Sequence, residues 1–253
     1  NTGDNLGSSL AARFLLEFEG LAGVDFIARV FKSFGYWVIG LGNHEFTPPR
    51  EKLAAFLAQA NSRGVKFLAS NLKVPDKKKK PVQYTKFRKH AISRFVNNYS
   101  NGKMKPYFVM EPEIGGLPSG IKVGVFHLLP NKIEAAKRNL EGISFEDPGN
   151  VASTIAEKLR TKEKVDVVIM LSHLGSKVKD VVLNASGIDL VITNSFRTNN
   201  KASAFSVFDK KGKGVYIVSG TKYGTQLGKV ILRVQRYKKG RAKVAGSQPN
   251  AIP

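Results

Sequence analysis

The stretch Trp37–Phe46, WVIGLGNHEF, joins an apolar run to an abrupt polar end. The run stops at Gly42, and Asn43, His44 and Glu45 follow directly. A buried strand that ends in a glycine and then presents an amide and an imidazole is typical of α/β proteins, which place their chemistry at the carboxyl edge of a sheet. The alternative is an ordinary strand-to-loop turn, in which Asn43 adopts the backbone conformation of the turn and His44 is an ordinary polar residue.

Two other segments carry polar groups beside glycines. Upstream lies Asp4 in the segment GDNLG, and downstream the apolar run VDVVIML ends in His173, within LSHLG. An Asp, an Asn-His pair and a second His supply oxygen and nitrogen donors that suit a divalent transition metal. The three segments together therefore favour a functional interpretation over three unrelated turns.

These segments resemble a known family. GDNLG, GNHEF, and LSHLG followed by GIDLVI are similar to motifs of the calcineurin-like metallophosphoesterases, and specifically of their 5'-nucleotidase branch. The flanking segments FGYWVIGLGNHEF, FLASNL, GIKVGVF and SGTKYGTQLGKVILRV agree, so the resemblance covers most of the chain. It implies an α/β fold, an αββα sandwich of two mixed sheets flanked by helices, over residues 1–240, with a C-terminal tail at 241–253.

The resemblance also implies roles for individual residues. In this family two adjacent metal ions polarise a phosphoryl group and activate a bridging hydroxide, while a histidine assists the leaving oxygen. Asp4 is similar to the carboxylate that bridges both metals, and Asn43 and His173 are similar to ligands of the second metal. His44 matches the catalytic histidine. The expected cofactor is one divalent metal, zinc or manganese, or none.

The chain departs from the family pattern in two places. The Asp-x-His pair that opens the family motif is absent from this sequence, so we expect the N-terminal strands of the fold to lie upstream or to come from another chain. After GIDLVI the family has Gly-Gly-His-x-His, whereas Ser195 and Arg197 stand here at the two histidine positions. A serine hydroxyl is a poor ligand for such metals, and a protonated guanidinium offers only donors. We expect Arg197 to pair with Asp4 in the vacated position.

Composition limits the remaining possibilities. The chain has 253 residues, 42% of them hydrophobic, and no cysteine, so it can bury a core but can form neither a disulfide nor a thiolate metal site. Its formal net charge is +22, which favours an anionic surface or an acidic protein partner. No apolar run reaches the ~20 residues of a transmembrane helix, so no transmembrane segment is expected.

The segment 73–105 reads as a basic insertion in the domain. Its cations, including Lys77–Lys80, interleave with aromatic residues such as Tyr84 and Phe87, a pattern that can stack bases and grip phosphates. Nucleic-acid binding is therefore possible, but we favour a solvated surface insertion.

Hydrophobic periodicity predicts the order of the remaining elements. One helix is expected at 21–34, with Phe26, Ile27, Val30, Phe31 and Phe34 on its buried face. A second is expected from a start at 47–51 up to Gly64, with Leu53, Phe56, Leu57 and Ala60 buried. A third begins near Asn150 and turns Val151, Ile155 and Leu159 inward, and a short fourth is expected around 177–185. His127, within an apolar run, is expected to be a core histidine. Strands are predicted at 36–40, 65–70, 106–112, 120–127, 165–171, 188–193, 203–209, 214–219 and 228–236. The last residues are expected to fray.

Three functions fit these observations. The favoured one is a metallophosphoesterase-fold protein whose dimetal site has decayed and which acts as a binding or structural component. The second is a phosphoesterase that runs on one metal at Asp4, Asn43 and His173, with His44 as the acid. The third is a polyanion-binding module that uses residues 77–94. The resemblance also implies a periplasmic, extracellular or cell-surface location.

Overall fold

The computed structural model describes residues 2–6, 14–15, 18–73, 105–133, 143–194, 203–220, 227–235 and 243–252. The chain divides into two compact units. The first unit comprises Asn1–Pro106 and Leu129–Glu146, and the second comprises Tyr107–Leu128 and Asp147–Pro253. Each has a hydrophobic core of its own.

The first unit alternates helices with short strands. Its elements are α1 (Gly20–Ser33), β1 (Val38–Gly40), α2 (Arg50–Ser62), β2 (Lys66–Leu68), β3 (Leu72–Lys73) and β8 (Ser144–Phe145). Strands β1 and β2 are parallel, with Ile39 opposite Phe67, and β3 pairs with β8 in the antiparallel sense. This helix-then-strand alternation confirms the α/β prediction for this part of the chain.

Helices α1 and α2 end in the same way. Gly35 follows α1 with φ 70° and Gly64 follows α2 with φ 82°. The N–H of Tyr36 donates to the carbonyl of Phe31, which closes a turn of six residues. After α2, the N–H of Val65 makes the corresponding hydrogen bond to the carbonyl of Ala60. This is the Schellman arrangement, whose left-handed residue is most often glycine. It turns each helix back into the strand that follows.

The core of the first unit is an interface between α1, α2 and the short sheet. Helix α2 buries Leu53, Phe56, Leu57 and Ala60, as the sequence predicted. Phe56 meets Phe67 of β2 edge-on, with ring centroids 5.0 Å apart. Residues three and four positions apart lie on one face of a helix, so this spacing buries a continuous stripe.

The buried stripe of α1 differs from the prediction. Val24, Ile27 and Ala28 are buried, whereas Phe26 is 48% exposed and Phe34 is 76% exposed. The helix has apolar residues on two overlapping faces, and spacing alone does not say which of them packs. Contact with α2 selects the face that starts at Val24, so the prediction was wrong for these two phenylalanines.

The second unit is built on a six-stranded mixed sheet. In spatial order its strands are β11 (Ser203–Phe208), β12 (Gly214–Ser219), β10 (Leu190–Thr193), β9 (Val167–Ser172), β7 (Val123–Leu128) and β4 (Tyr107–Met110). The inner four strands are parallel, and β11 and β4 are antiparallel edges. The mixed sheet therefore agrees with the predicted fold class, and a small hairpin, β5 (Glu113–Ile114) and β6 (Leu117–Pro118), joins β4 to β7.

Two helices connect the parallel strands of the second unit. Helix α3 (Pro148–Thr161) is capped by Asp147, whose carboxylate accepts the N–H of Asn150 at 2.9 Å, and it has a proline in its first turn. It leads from β7 to β9, and α4 (Val178–Asn184) leads from β9 to β10. The predicted inward residues of α3 are buried, and His127 of β7 is fully buried, as expected.

The C-terminal residues form a separate antiparallel hairpin. Strand β13 (Leu227–Gln235) pairs with β14 (Lys243–Ile252). The expectation that the tail GSQPNAIP frays is therefore wrong for residues 246–252. The reason is that β13 offers an unpaired row of backbone groups, and a neighbouring chain can pair with such an edge even when its own strand propensity is weak.

Several expectations cannot be compared with the structure. Of the basic insertion, residues 74–104 lie outside the described residues, and so do Ser195 and Arg197. Among the helices that are described, none is long and apolar enough to cross a membrane.

The packing of α1 and α2 gives a matched test of burial. We expect Phe56→Ala to lower the free energy of unfolding by about 3–5 kcal/mol, because it empties a fully buried site. Phe34→Ala removes the same side chain from an exposed site and should change stability by less than about 0.5 kcal/mol. Urea unfolding of both variants measures the difference. Equal losses would contradict the burial of Phe56 and the exposure of Phe34.

Candidate functional site

The loop that follows β1 lies beside the segment that precedes α1. Strand β1 ends at Gly40, and a short 3₁₀ turn over His44–Phe46 begins after Asn43. Asp4 has a left-handed backbone with φ 62°. Next to a residue with a left-handed backbone, successive N–H groups can point toward one place. They then form a concavity that binds an anion. In this protein a side chain of the same unit occupies that concavity.

The side chain that fills the concavity is the carboxylate of Glu45. Its Oε2 accepts the N–H of Asp4 at 2.8 Å and that of Gly42 at 2.5 Å. Its Oε1 accepts the N–H of Leu6 at 2.9 Å and also that of Asn5. Glu45 is fully buried. One carboxylate thus joins both segments of the site through four backbone hydrogen bonds.

Two opposing effects act on the charge of Glu45. Burial raises the pKa of its carboxyl because it removes water from the charged form, and the nearby Asp4 charge raises it further. The N–H donors of Gly42, Asp4 and Leu6 lower the pKa, because they stabilise the carboxylate, but burial outweighs them. Backbone dipoles therefore take the place that a cation usually takes beside a buried acid.

Asp4 and His44 are joined directly. The Oδ1 atom of Asp4 accepts the N–H of His44 at 3.0 Å, which fixes the carboxylate against the turn that carries the histidine. Gly42 makes this approach possible. A Cβ at position 42 would lie within 2.5 Å of the backbone N of Asp4, closer than side chains tolerate. Glycine is needed here for space.

The predicted catalytic histidine lies at the start of the 3₁₀ turn. The side chain of His44 is half-buried, and its Nδ1 has no hydrogen-bond partner in the part of the chain that the structure describes. Asn43, directly before it, is also half-buried. The structure thus places Asp4, Asn43 and His44 together in the first unit, and their chemical roles stay predictions.

His173 belongs to the second unit. It follows the last residue of β9, is buried, and donates its N–H to the carbonyl of Leu128 at 2.9 Å. The side chain of Asn194, after β10, accepts the N–H of Gly175 at 3.2 Å and ties the two strand ends together. His173 therefore lies at the carboxyl edge of the parallel strands, where the sequence predicted it.

The described residues do not by themselves form a two-metal site. No group of three His, Cys, Asp or Glu side chains within those ranges is arranged to hold a metal ion. Asp4, Asn43 and His173 have oxygen and nitrogen atoms that suit a divalent metal. Ser195 and Arg197 lie outside the described residues.

Glu45 is a residue of the site whose role the sequence does not reveal. The sequence indicates it only as part of the polar end of a strand. One signal could have found it, since it stands between His44 and the apolar Phe46 in a segment that otherwise reads as buried. A buried acid requires several donors, and an adjacent glycine-rich segment can supply backbone N–H groups.

Comparison with known proteins supports the fold described above. The 5'-nucleotidase precursor from Thermus thermophilus superposes with a TM-score of 0.67 at 20% identity, over 94% of this chain and 42% of its own. The NAD nucleotidase of Haemophilus influenzae gives 0.67 at 21% identity, over 99% and 45%. The chain has the 5'-nucleotidase fold. Its sequence relatives are nucleotide phosphoesterases of the calcineurin-like metallophosphoesterase superfamily.

The sequence relatives are distant and much longer. The trifunctional nucleotide phosphoesterase protein YfkN of Bacillus subtilis is 23% identical over 231 residues, which are 86% of this chain and 15% of that protein. The chain thus spans a small fraction of this relative and under half of the solved 5'-nucleotidase-fold structures. No protein-family model matches it.

The bonds of Glu45 predict a large effect of a small change. In Glu45→Gln one of the two accepting oxygens becomes an NH₂ group that faces N–H donors. We expect a loss of at least about 2 kcal/mol in the free energy of unfolding, since each buried donor left unpaired costs roughly 1–3 kcal/mol. The control is Glu51→Gln on the exposed surface of α2, which should change little. If Glu45→Gln unfolds like the control, the four bonds do not hold the site.

Proposed function

We propose that this protein is a 5'-nucleotidase-like metallophosphoesterase domain whose dimetal site has decayed, and that it acts as a binding or structural component. The fold and the relatives support the first part. Retention of the Asp4 and His44 loops supports a fold maintained around the former site. The loss of the two histidine positions supports the second part.

The sequence Thr193–Arg197, TNSFR, carries this proposal. By resemblance, two metal-binding histidines belong at Ser195 and Arg197. A guanidinium stays protonated at any physiological pH and repels a cation, so Arg197 does more than omit a ligand. The resemblance implies a place for Arg197 at the first metal position, where its charge would oppose a metal ion and stabilise a carboxylate instead.

A catalytic alternative rests on the hydrogen bonds that hold Asp4 and His44 in fixed positions. Glu45 fixes Asp4 and the peptide of His44 in place, and such preorganisation is what a reactive site requires. In this version Asp4, Asn43 and His173 hold one zinc or manganese ion, which would act as a Lewis acid on a phosphate ester. In this version His44 acts as the general acid and donates a proton to the leaving oxygen.

Location and partners are proposed on the same grounds. One structure with this fold is named as a precursor, which supports an exported protein at the periplasm or cell surface. The net charge of +22 supports a partner that is acidic, whether a protein or an anionic surface.

Metal content and turnover, measured on one sample, decide between the two versions. After manganese and zinc have been supplied, we expect elemental analysis to find no stoichiometric metal. We expect no hydrolysis of p-nitrophenyl phosphate above that of His44→Ala, because the ligand set is incomplete. Near-stoichiometric metal together with turnover that disappears in His44→Ala would establish the catalytic version and exclude the decayed one.

The proposed pairing of Arg197 with Asp4 is tested by a double-mutant cycle. Arg197→Ala should lower the melting temperature by several degrees, because it leaves the Asp4 carboxylate without its cation. The loss should be much smaller when Asp4→Asn is already present. Arg29→Ala, which removes an exposed partner of Asp25, is the control and should cost only tenths of a kcal/mol. Additive effects of Arg197→Ala and Asp4→Asn would contradict the pairing.

A further inference from the structure

The C-terminal hairpin presents an unusual outer face. Side chains along β13 alternate between half-buried and exposed, and the exposed set is Lys229, Ile231, Arg233 and Gln235. The half-buried set on the other face is entirely aliphatic: Val230, Leu232 and Val234. Because successive side chains of a strand point to opposite faces, the exposed residues form one row. The hairpin is a two-stranded sheet of its own in the described part of the chain.

This row lies in a segment without acidic residues. Asp209 is the last acid in the sequence, and eleven Lys and Arg residues follow it. Lys229 and Arg233 are two of these eleven, and the residues between β13 and β14, RYKKGRA, carry four more by sequence alone. Half of the formal net charge of +22 therefore comes from the last 44 residues. A field of one sign attracts an extended anionic surface.

Ile231 distinguishes between the possible anionic surfaces. It is 40% exposed and lies between Lys229 and Arg233 on the same face, about 7 Å from each along the strand. A row of cation, aliphatic residue and cation matches the boundary of a bilayer, where phosphate groups meet acyl chains. A nucleic-acid backbone would engage the cations and leave the aliphatic side chain in water. An aromatic residue that could stack on a base is absent from the described outer face of β13.

We propose that the outer face of β13, formed by Lys229, Ile231 and Arg233, docks on the surface of an anionic phospholipid bilayer. The two cations bind lipid phosphates, and Ile231 enters the boundary between headgroups and acyl chains. The contact is peripheral and sensitive to salt, because most of its strength is electrostatic. It does not depend on whether Asp4, Asn43 and His173 hold a metal.

Co-sedimentation of the full chain with vesicles tests the proposal. We expect binding to vesicles that contain equal parts of phosphatidylglycerol and phosphatidylcholine, release as salt is raised, and no binding to phosphatidylcholine alone. Reversal of both cations in Lys229→Glu with Arg233→Glu should weaken binding at least about tenfold, since each basic residue near such a surface contributes about 1 kcal/mol. The control, Lys162→Glu with Lys211→Glu, changes two exposed lysines of the same unit by the same charge and should bind nearly as wild type.

Replacement of Ile231 distinguishes a bilayer from nucleic acid more directly than replacement of the cations does. Ile231→Thr keeps the charge and the strand preference of the site and should weaken vesicle binding several-fold, because the apolar contribution is lost. Its binding to a short DNA duplex should be unchanged. Thermal unfolding of each variant checks the fold, and Lys229→Gln with Arg233→Gln replaces the charge-reversed pair if that pair does not fold.

Four results would overturn the proposal. The first is failure of the wild-type chain to bind anionic vesicles at low salt. The second is equal weakening in the control pair, which would make the binding a property of net charge. The third is unchanged vesicle binding in Ile231→Thr. The fourth is tighter binding to the duplex than to vesicles, which would make nucleic acid the partner.

Discussion

The carboxylate of Glu45 is the interaction on which the first unit depends. Burying an acid without a cation is costly, and the protein meets this cost with four backbone N–H groups from two segments that are about forty residues apart in sequence. Because the donors belong to the backbone, the arrangement fixes the path of the chain through both segments. Gly42 provides the space for the close approach.

Under the proposed function, this arrangement explains how the motif can persist although its metal ligands have changed. The bonds of Glu45 stabilise the fold whether or not a metal is bound, so the segments around Asp4 and Asn43 are retained for stability. A functional site and its supporting scaffold can therefore diverge at different rates, and a conserved-looking loop is weak support for retained chemistry.

Much of the fold could be predicted from the sequence, because helical spacing, the glycines after α1 and α2 and the short apolar strands are local signals. Errors arose where packing decides. Phe26 lies on one of two apolar faces of α1, and only the contact with α2 selects the other one; Phe34 follows the last residue of the helix. The pairing of β14 depends on the edge that β13 offers. The predicted site residues were found from motif resemblance, whereas Glu45 was missed because its partners are backbone groups distant in sequence.

Native-state hydrogen exchange followed by NMR tests the role of Glu45 most directly. The amides of Asp4, Asn5, Leu6 and Gly42 lie in loops, where exchange is normally fast. If the carboxylate of Glu45 holds them, these four amides should be protected to nearly the level of the α2 core and should lose that protection together in Glu45→Gln. Exchange at the rate of exposed loops in the wild-type protein would contradict the account, because the four bonds would then not persist in solution.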